Sequence, residues 1–236
     1  MFEKLIETIQ EAVKPSVIEI NGKQYVNGTL TLLTDPRVAT LVVGTLTGLV
    51  SFYEMQGEHR EDEPFLHVQS PEVVFLCGQT TGADKARTVY CRATAITSSG
   101  MKFGQYLTAE EFIIALQSHF VKTATVEQVL KVVGNLTDEH ARQTSDDGVT
   151  QRVTVRRGVA RTDETCLPNP VSLAPFRTFP EITQPESNYI LRIKPQSGDT
   201  PLLALFEVTD HRWQLAAMKN IQDFLVPKMK DVTIIA

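Results

Sequence analysis

The run LPNPVSLAPFRTFPEITQP at positions 167–185 decides how this chain folds, because five of its residues are prolines. Each proline fixes φ, removes a backbone donor and pushes the preceding residue towards extended geometry, so the run can be neither a helix nor a central strand. It also carries too many apolar side chains for a solvated linker: Leu167, Val171, Leu173, Phe176, Phe179 and Ile182. We therefore expect an extended, proline-rich arm that lies against a surface, either that of its own domain or that of a neighbouring subunit.

Composition and charge are those of an ordinary globular protein. The chain has 236 residues, of which 42% are apolar and 22% charged, so it can build one large domain or two small ones. Its formal charge of −5 gives nucleic acid no electrostatic reason to bind across the whole surface, so nucleic acid is not the expected partner. The N-terminal run lacks the basic-then-apolar layout of a signal peptide, which predicts a cytoplasmic protein.

The order of predicted elements indicates an α+β fold with a mainly antiparallel sheet, several helices and the extended proline-rich arm. Helices are predicted over 2–13 and 213–226 and after the N-caps Asp35, Thr108 and Thr125, with Gly134 ending the last of these. Alternation and turn signals predict the strands 17–20, 24–26, 66–68, 73–77, 88–96, 149–160, 189–193, 202–208 and 232–235.

We interpret residues 1–236 as a single α+β domain with three segments. Helices and antiparallel strands occupy 1–143, a strand and the arm occupy 144–188, and a hairpin, a helix and a terminal strand occupy 189–236. Fully extended, the arm together with its flanking residues, from Arg161 to Asn188, would reach roughly 90 Å at about 3.3 Å per residue. That reach exceeds the diameter of a domain of this size, so the arm is long enough to cross a subunit boundary.

The uncharged run from Val38 to Tyr53 is shorter than the roughly 20 apolar residues that a membrane-spanning helix needs, so we predict a buried helix and no membrane contact. Gly44 and Gly48 have a spacing that lets another backbone approach, and Gly44 also belongs to a stripe of small residues with Thr40, Thr47 and Ser51 on this predicted helix. Such a stripe lets a second surface approach closely, either inside the fold or between subunits.

The sequence contains no glycine-rich phosphate-binding motif, neither GxxxxGK(S/T) nor GxGxxG. It also contains no HExxH or paired CxxC motif for zinc and no GxSxG motif around a nucleophilic serine. Three cysteines, Cys77, Cys91 and Cys166, have no metal-ligand spacing and leave one over from any disulfide. The sequence therefore predicts no metal, no cofactor and no catalytic residue, and it favours a non-enzymatic protein.

Acidic residues with a histidine form the one cluster that suggests a metal-dependent hydrolase, an alternative function. The cluster comprises Asp138, His140, Asp146 and Asp147. The competing interpretation is a helix exit followed by a turn, in which aspartates bond their own backbone. Asp210 similarly precedes a predicted helix, where a carboxylate caps the first turn.

Arginines suggest two kinds of binding surface. Arg152 and Arg156 share one face of a predicted strand, which either contacts phosphates or lies in solvent. This pattern supports a second alternative function, a module that binds nucleic acid or a host defence component. Arg177 lies between Phe176 and Phe179, a composition typical of subunit interfaces and equally compatible with packing inside the chain. With Ile182, Gly44 and Gly48, these three residues form the predicted oligomer interface.

Several runs from residue 103 onward resemble uncharacterised phage and prophage proteins, similar to the group with the YfdQ-type domain of unknown function. The runs are FGQYLTAEEFIIALQSHF (103–120), LKVVGNL (130–136), SDDGVTQRVTVRRGVA (145–160), LPNPVSLAPFRTFPEITQPES (167–187) and LALFEVTDHRWQLAAMKNIQDFL (203–225). The resemblance implies a phage or prophage origin and the cytoplasm of the host cell. It supplies no catalytic residue.

The leading hypothesis is a non-enzymatic phage protein that self-associates into a homo-oligomer, as a ring or a closed shell. Its expected partner is a second copy of the chain, and a host or phage protein is the alternative partner. The apolar arm and the small-residue stripe motivate this hypothesis.

Overall fold

The structure is a computed structural model. It describes residues 16–26, 39–55, 63–81, 85–97, 100–137, 142–146, 151–157, 161–166, 169–196, 199–208 and 211–236. The helix predicted over 2–13 and the N-cap predicted at Asp35 lie outside these residues.

Four helices and thirteen strands occupy the described part of the chain. The helices are α1 (Leu46–Glu54), α2 (Ala109–His119), α3 (Ala124–Thr137) and α4 (Arg212–Leu225). The strands are β1 (Val17–Ile20), β2 (Lys23–Val26), β3 (Leu41–Val43), β4 (Phe65–Ser70), β5 (Val73–Thr81), β6 (Ala86–Thr94), β7 (Arg142–Asp146), β8 (Gln151–Arg157), β9 (Arg161–Cys166), β10 (Val171–Leu173), β11 (Ser187–Gln196), β12 (Asp199–Glu207) and β13 (Thr233–Ile235). Most strand pairs are antiparallel, which confirms the predicted α+β class.

The largest sheet has the strand order β13-β4-β5-β6-β3. Its centre is the antiparallel meander β4-β5-β6 that the sequence predicts, and its two edge strands run parallel to their neighbours. Strand β13, which the sequence predicts, forms one edge of this sheet. One face of the sheet is buried beneath α1 and α4, where Leu66, Leu76 and Cys91 belong to the hydrophobic core.

The other edge corrects the predicted helix after Asp35. Residues Leu41–Val43 are a strand paired with β6, and the helix begins only after Thr45, whose hydroxyl accepts a hydrogen bond from the Gly48 N–H at 3.0 Å. β-Branched residues suit a strand that pairs with a neighbour, and threonine is a favoured N-cap, so both local choices agree with the observed break.

A second core lies between α2, α3 and the three-stranded sheet β10-β11-β12. The β11–β12 hairpin confirms the predicted final hairpin, and Leu107 pairs with Leu203 on the other edge of β12. Two smaller sheets complete the described strands: the hairpin β1-β2, which turns at Asn21 and Gly22 with positive φ as predicted, and the sheet β7-β8-β9. In the latter, β9 lies directly before the proline-rich run that begins at Leu167.

Helices α2 and α3 show where local sequence signals hold and where packing overrides them. The capping box at Thr108 is confirmed, since the Thr108 N–H donates to Glu111 Oε2 at 2.9 Å and the Glu111 N–H donates to the Thr108 hydroxyl at 3.3 Å. Helix α3 is capped by Thr123 and not by Thr125, the predicted N-cap. It also continues past Gly134 to Thr137, because Leu136 adds a buried side chain to the core.

Thr108→Ala is expected to lower the free energy of unfolding by about 1 kcal/mol, the usual cost of losing an N-cap. The Thr108 backbone N–H, and then its hydroxyl, lower the pKa of Glu111. A lowered pKa in the folded state contributes stability above the unfolded pKa and loses it as the pH falls through the folded pKa. The alanine variant keeps the backbone N–H and loses only the contribution of the hydroxyl. The difference in free energy of unfolding between the variant and the parent should therefore narrow slightly in acid.

Urea denaturation near neutral pH and in acid measures this effect. Ser118→Ala is the matched control in the same helix, because the Ser118 hydroxyl only bonds back to the Ile114 carbonyl at 2.7 Å, an interaction that does not favour the helix. An equal loss of stability in the two variants would contradict the capping argument.

The C-terminal helix α4 confirms the predicted amphipathic helix, with Ala217, Ile221 and Leu225 buried. Leu215, near the start of the same helix, is 71% exposed. His211, with φ of 58°, precedes the helix without a side-chain cap, and Asp210 lies outside the described residues. No helix in the described part of the chain has the length and apolar character needed to cross a membrane.

Candidate functional site

The proline-rich arm, whose described part is residues 169–187, lies against its own chain and joins the two cores. Val171 and Leu173 are buried in the core beneath α2 and α3. Phe179 and Ile182 are buried in the core beneath α1 and α4. The sequence allowed the arm to lie either against its own chain or against a neighbouring subunit. The structure shows the arm packed against its own chain.

The first part of the arm joins the sheet and helices of one core through its backbone. Strand β10 is an edge strand paired with β11, a position that tolerates the neighbouring prolines. The Phe176 N–H donates to the His119 carbonyl at 2.9 Å, and the Val121 N–H donates to the Ala174 carbonyl at 2.8 Å. The arm is therefore hydrogen-bonded through its backbone to the segment that connects α2 and α3.

Gln184 organises the turn that follows, because its buried amide bonds three backbone groups of the arm. Its Nε2 donates to the carbonyls of Phe179 at 2.9 Å and Ile182 at 3.3 Å, and its Oε1 accepts from the Arg177 N–H at 3.2 Å. The Gln184 side chain therefore supplies hydrogen-bond partners to three backbone groups of the arm, a segment whose prolines leave it few backbone–backbone hydrogen bonds.

Three further hydrogen bonds attach the arm to the second core. The Thr178 hydroxyl donates to a carbonyl in the β4–β5 turn, and Asn220 Nδ2 of α4 donates to the Thr183 carbonyl at 2.9 Å. Glu181 Oε1 accepts from the Thr47 N–H at 3.1 Å, in the first turn of α1. A negative carboxylate at the N-terminus of a helix is also stabilised by the positive end of the helix dipole.

Arg177 is the most elaborate contact of the arm. Its guanidinium lies 3.6 Å from the ring centroid of Trp213, and its Nη1 donates to Glu207 Oε1 at 2.6 Å and to the Tyr189 hydroxyl at 3.4 Å. Its Nη2 donates to the Ser187 hydroxyl. Only 14% of the arginine side chain is exposed. Burial raises the pKa of Tyr189 well above its ordinary value, so the hydroxyl stays protonated.

Three residues of the predicted oligomer interface, Arg177, Phe179 and Ile182, contact their own chain in the structure. Phe179 and Ile182 are buried there, while Arg177 keeps 14% of its side chain exposed, so the predicted interface between copies stays a prediction. Among the arm residues proposed for that interface, Phe176 is exposed, at 46%. The sequence could not decide this point, because the surfaces that receive the arm come from residues far along the chain.

The two predicted glycines also have internal roles. Gly44 lies in the turn before α1, where a Cβ would come within 2.7 Å of Ile96 Cδ1, and Gly48 lies in the first helical turn against Val43. Because the helix begins only at Leu46, Thr40 and Gly44 lie before it and do not share a helical face with Thr47 and Ser51.

The side chains of the remaining predicted residues lie outside what the structure describes. The structure describes only the backbone of β8, where Arg152 pairs with Cys166 and Arg156 pairs with Thr162. Asp138, His140 and Asp147 lie outside the described residues, and Asp146 ends β7. Among the residues whose placement is described, no three His, Cys, Asp or Glu side chains are grouped to hold a metal ion.

The two described thiols are interior groups. Cys77 and Cys91 are both buried and unpaired with each other. Burial raises the pKa of Cys91 to about 11 and raises that of Cys77 as well, although Arg87 acts on Cys77 in the opposite direction. Protonated, buried thiols are poor nucleophiles, so these cysteines act as small apolar side chains.

The face of the five-stranded sheet opposite α1 and α4, which we call the outer face, carries a row of directly paired residues. The row crosses all five strands in the order Ile235, His67, Phe75, Arg92 and Val42. Paired residues share a side of the sheet, and the residues beside them along the three central strands belong to the core. The row therefore points away from the helices.

Arginines and aromatic rings contact each other on this outer face. Arg92 lies over the Phe75 ring at 5.7 Å, and Arg87 lies over the Phe65 ring at 4.7 Å. The His67 ring is stacked with Phe75 at 6.4 Å between centroids, with 29° between their planes. Both arginines are exposed while the rings are half-buried, so the guanidinium groups form the outermost layer.

A cleft of about 810 Å³ adjoins one end of the outer face. Phe65, Arg87 and Ile235 line it from the sheet, and Glu63 and Asp231 add two acidic side chains. This volume lies within the usual range for small-ligand sites, but the open lining mixes charges of both signs and selects no single ligand class.

Comparisons with protein-family models, curated proteins and solved structures give no match to this chain. The resemblance to phage proteins therefore stays a prediction. The geometry of the outer face and of the remaining exposed apolar surface is the basis for assigning a function.

Sequence reasoning missed the outer face, although a partial signal exists. Phe65 and His67 alternate with the buried residues of β4, and Phe75 alternates with those of β5. Such alternation identifies a solvent-facing set on each strand separately. The contacts between arginines and rings depend on the strand register, which the alternation alone does not give.

Proposed function

We propose that the chain is a non-enzymatic phage or prophage protein that self-associates into a homo-oligomer in the cytoplasm of its host. The observation that carries this proposal is the apolar surface of the hairpin β1–β2. The arm and the two glycines no longer support it, because their contacts lie within one chain.

The hairpin exposes apolar side chains that a stable protein normally covers. Val17, Ile18 and Ile20 are 58%, 42% and 45% exposed, and the pairing of Ile18 with Tyr25 places an aromatic ring on the same face as both isoleucines. Within the described residues, no further strand extends this sheet. A two-stranded hairpin alone is marginally stable in water and needs apolar packing against another element.

A second copy of the chain is the occupant that fits this face best. Two hairpins related by a two-fold axis present identical apolar faces to each other, which is the commonest geometry of homo-oligomers. Pairing through this face gives a dimer. A ring or a closed shell needs a second contact surface on each copy, so the number of subunits tests how far assembly proceeds.

Light scattering on the purified full-length protein tests the proposal. We expect a native mass that is a multiple of the 26.3 kDa chain, and we expect Ile18→Lys to reduce it towards one chain, because a charge would be buried in the interface. Gln24→Lys is the matched control, since Gln24 is exposed and pairs with Glu19 on the opposite face of the hairpin. A monomeric parent at micromolar concentration would refute self-association.

A further inference from the structure

We infer that the outer face of the five-stranded sheet binds single-stranded nucleic acid. This inference is independent of the proposed self-association and uses a different surface. The sequence suggested Arg152 and Arg156 as a nucleic-acid-binding surface. The inference instead assigns nucleic-acid binding to the outer face, whose residues the sequence did not single out.

The outer face is open within the described part of the chain. Helices α1 and α4 both pack on the opposite side, where they contact β6 and β4. At the two ends of the row, Val42 is 64% exposed and Ile235 is 51% exposed. Four neighbouring strand spacings of about 4.8 Å make the row roughly 19 Å long, which is enough for a short stretch of an extended strand.

The chemistry of this face matches the two repeating parts of a nucleic-acid strand. Arg87 and Arg92 supply positive charge for phosphates, and the guanidinium groups lying over Phe65 and Phe75 supply flat surfaces for bases. Bases stack on aromatic rings and on guanidinium planes alike, and open sheets with such side chains hold two or three bases in other folds. His67, stacked on Phe75, extends this surface.

Charge argues against a second copy of the chain as the occupant. The outward positions of the five strands of this sheet carry two arginines and a histidine and no acid, within a chain whose formal charge is −5. The acids Glu63 and Asp231 line the cleft at one end of the face. A two-fold contact through this face would bring like charges together, which is unfavourable. A polyanion with flat bases meets both the charge and the ring surfaces.

Duplex DNA fits less well than a single strand. The row lies on a sheet and not on a projecting helix or two-stranded ribbon of the kind that enters a major groove. Stacking on Phe75 or Arg92 also requires an unpaired base. The inference therefore specifies single strands, and the experiment distinguishes DNA from RNA and single from double strands.

The test is fluorescence anisotropy of the full-length protein with labelled single-stranded DNA, single-stranded RNA and duplex DNA. We expect single-strand binding at low salt that weakens as salt is added, because phosphate contacts release counterions. Arg92→Glu should weaken it by about tenfold, and Phe75→Leu by about fivefold, since a stacked base contributes on the order of 1–3 kcal/mol. Preference for duplex DNA, or no retention at low salt, would overturn the inference.

Two controls exclude a general charge effect. Lys122→Glu makes the same change of charge at an exposed position between α2 and α3, away from the five-stranded sheet. This variant should bind single strands within about twofold of the parent. Arg152→Glu combined with Arg156→Glu tests strand β8 and should have an equally small effect. A loss with either control as large as that with Arg92→Glu would overturn the assignment to the outer face.

Cross-linking keeps the inference testable if a variant is unstable. Irradiation of the parent protein with a photoreactive single strand should give adducts in the strands that contain Phe65, Phe75 and Arg92. Adducts confined to other segments would contradict the inference without any substitution.

Discussion

Phe179→Ala is expected to lower the free energy of unfolding by about 3–5 kcal/mol, the usual cost of removing a fully buried phenylalanine. The ring has no exposed surface and lies in the core beneath α1 and α4, although it belongs to the proline-rich arm. Its loss leaves a cavity at the point where the arm joins that core. Because the receiving surface is in the same chain, the loss should not depend on protein concentration.

The matched control is Phe176→Ala, the same substitution three residues earlier in the same arm. Phe176 is 46% exposed, so we expect a cost of about 1 kcal/mol or less. Urea denaturation followed by fluorescence suits both variants, because the single tryptophan, Trp213, contacts the arm through Arg177. Equal costs for the two variants, or an unfolding midpoint that rises with concentration for the parent but not for Phe179→Ala, would place the receiving surface in another subunit.

The elements that the sequence predicts correctly are those fixed by neighbouring residues. The turn at Asn21 and Gly22 needs positive φ, which these residues adopt at low cost, and the cap at Thr108 needs an acceptor followed by a glutamate three residues later. In both cases the physical cause lies within four positions of its effect.

The prediction that failed and the one that stayed open both depend on distant partners. The apolar run around Leu41–Val43 is compatible with either a helix or a strand, and pairing with β6 about fifty positions later decides for the strand. The arm has the composition of an interface, and only the position of its partners decides which kind. Thr178, for example, bonds a carbonyl 107 positions earlier in the chain.

The candidate surfaces were predictable to different extents for the same reason. The exposed isoleucines of the hairpin β1–β2 follow from a local turn and from alternation. The outer face requires the register of five strands, because His67 and Arg92 both meet Phe75 only through that register. A one-residue shift in either pairing would move these residues to different faces.

Arg177→Ala is expected to lower the free energy of unfolding by about 3 kcal/mol, as when one partner of a largely buried ion pair is removed. The substitution leaves Glu207, which is 26% exposed, without its cation, and it leaves Ser187 and Tyr189 without a donor. It also uncovers the ring of Trp213, so the fluorescence of the folded protein should change along with its stability.

A surface pair in α4 provides the control. Lys219 and Asp223 are 3.3 Å apart, but 71% and 60% of their side chains are exposed. Solvent screens such a pair and the long lysine side chain loses entropy in forming it, so Lys219→Ala should cost less than about 0.5 kcal/mol.

The double variant Arg177→Met with Glu207→Gln separates the charge from the packing. If the main cost of Arg177→Ala is the carboxylate left without a partner, removing both charges while keeping a long side chain over Trp213 should restore more than half of the lost stability. If the double variant is instead as unstable as Arg177→Ala, the hydrogen bonds to Ser187 and Tyr189 carry the contribution. The arginine would then stabilise the arm by its donor geometry more than by its charge.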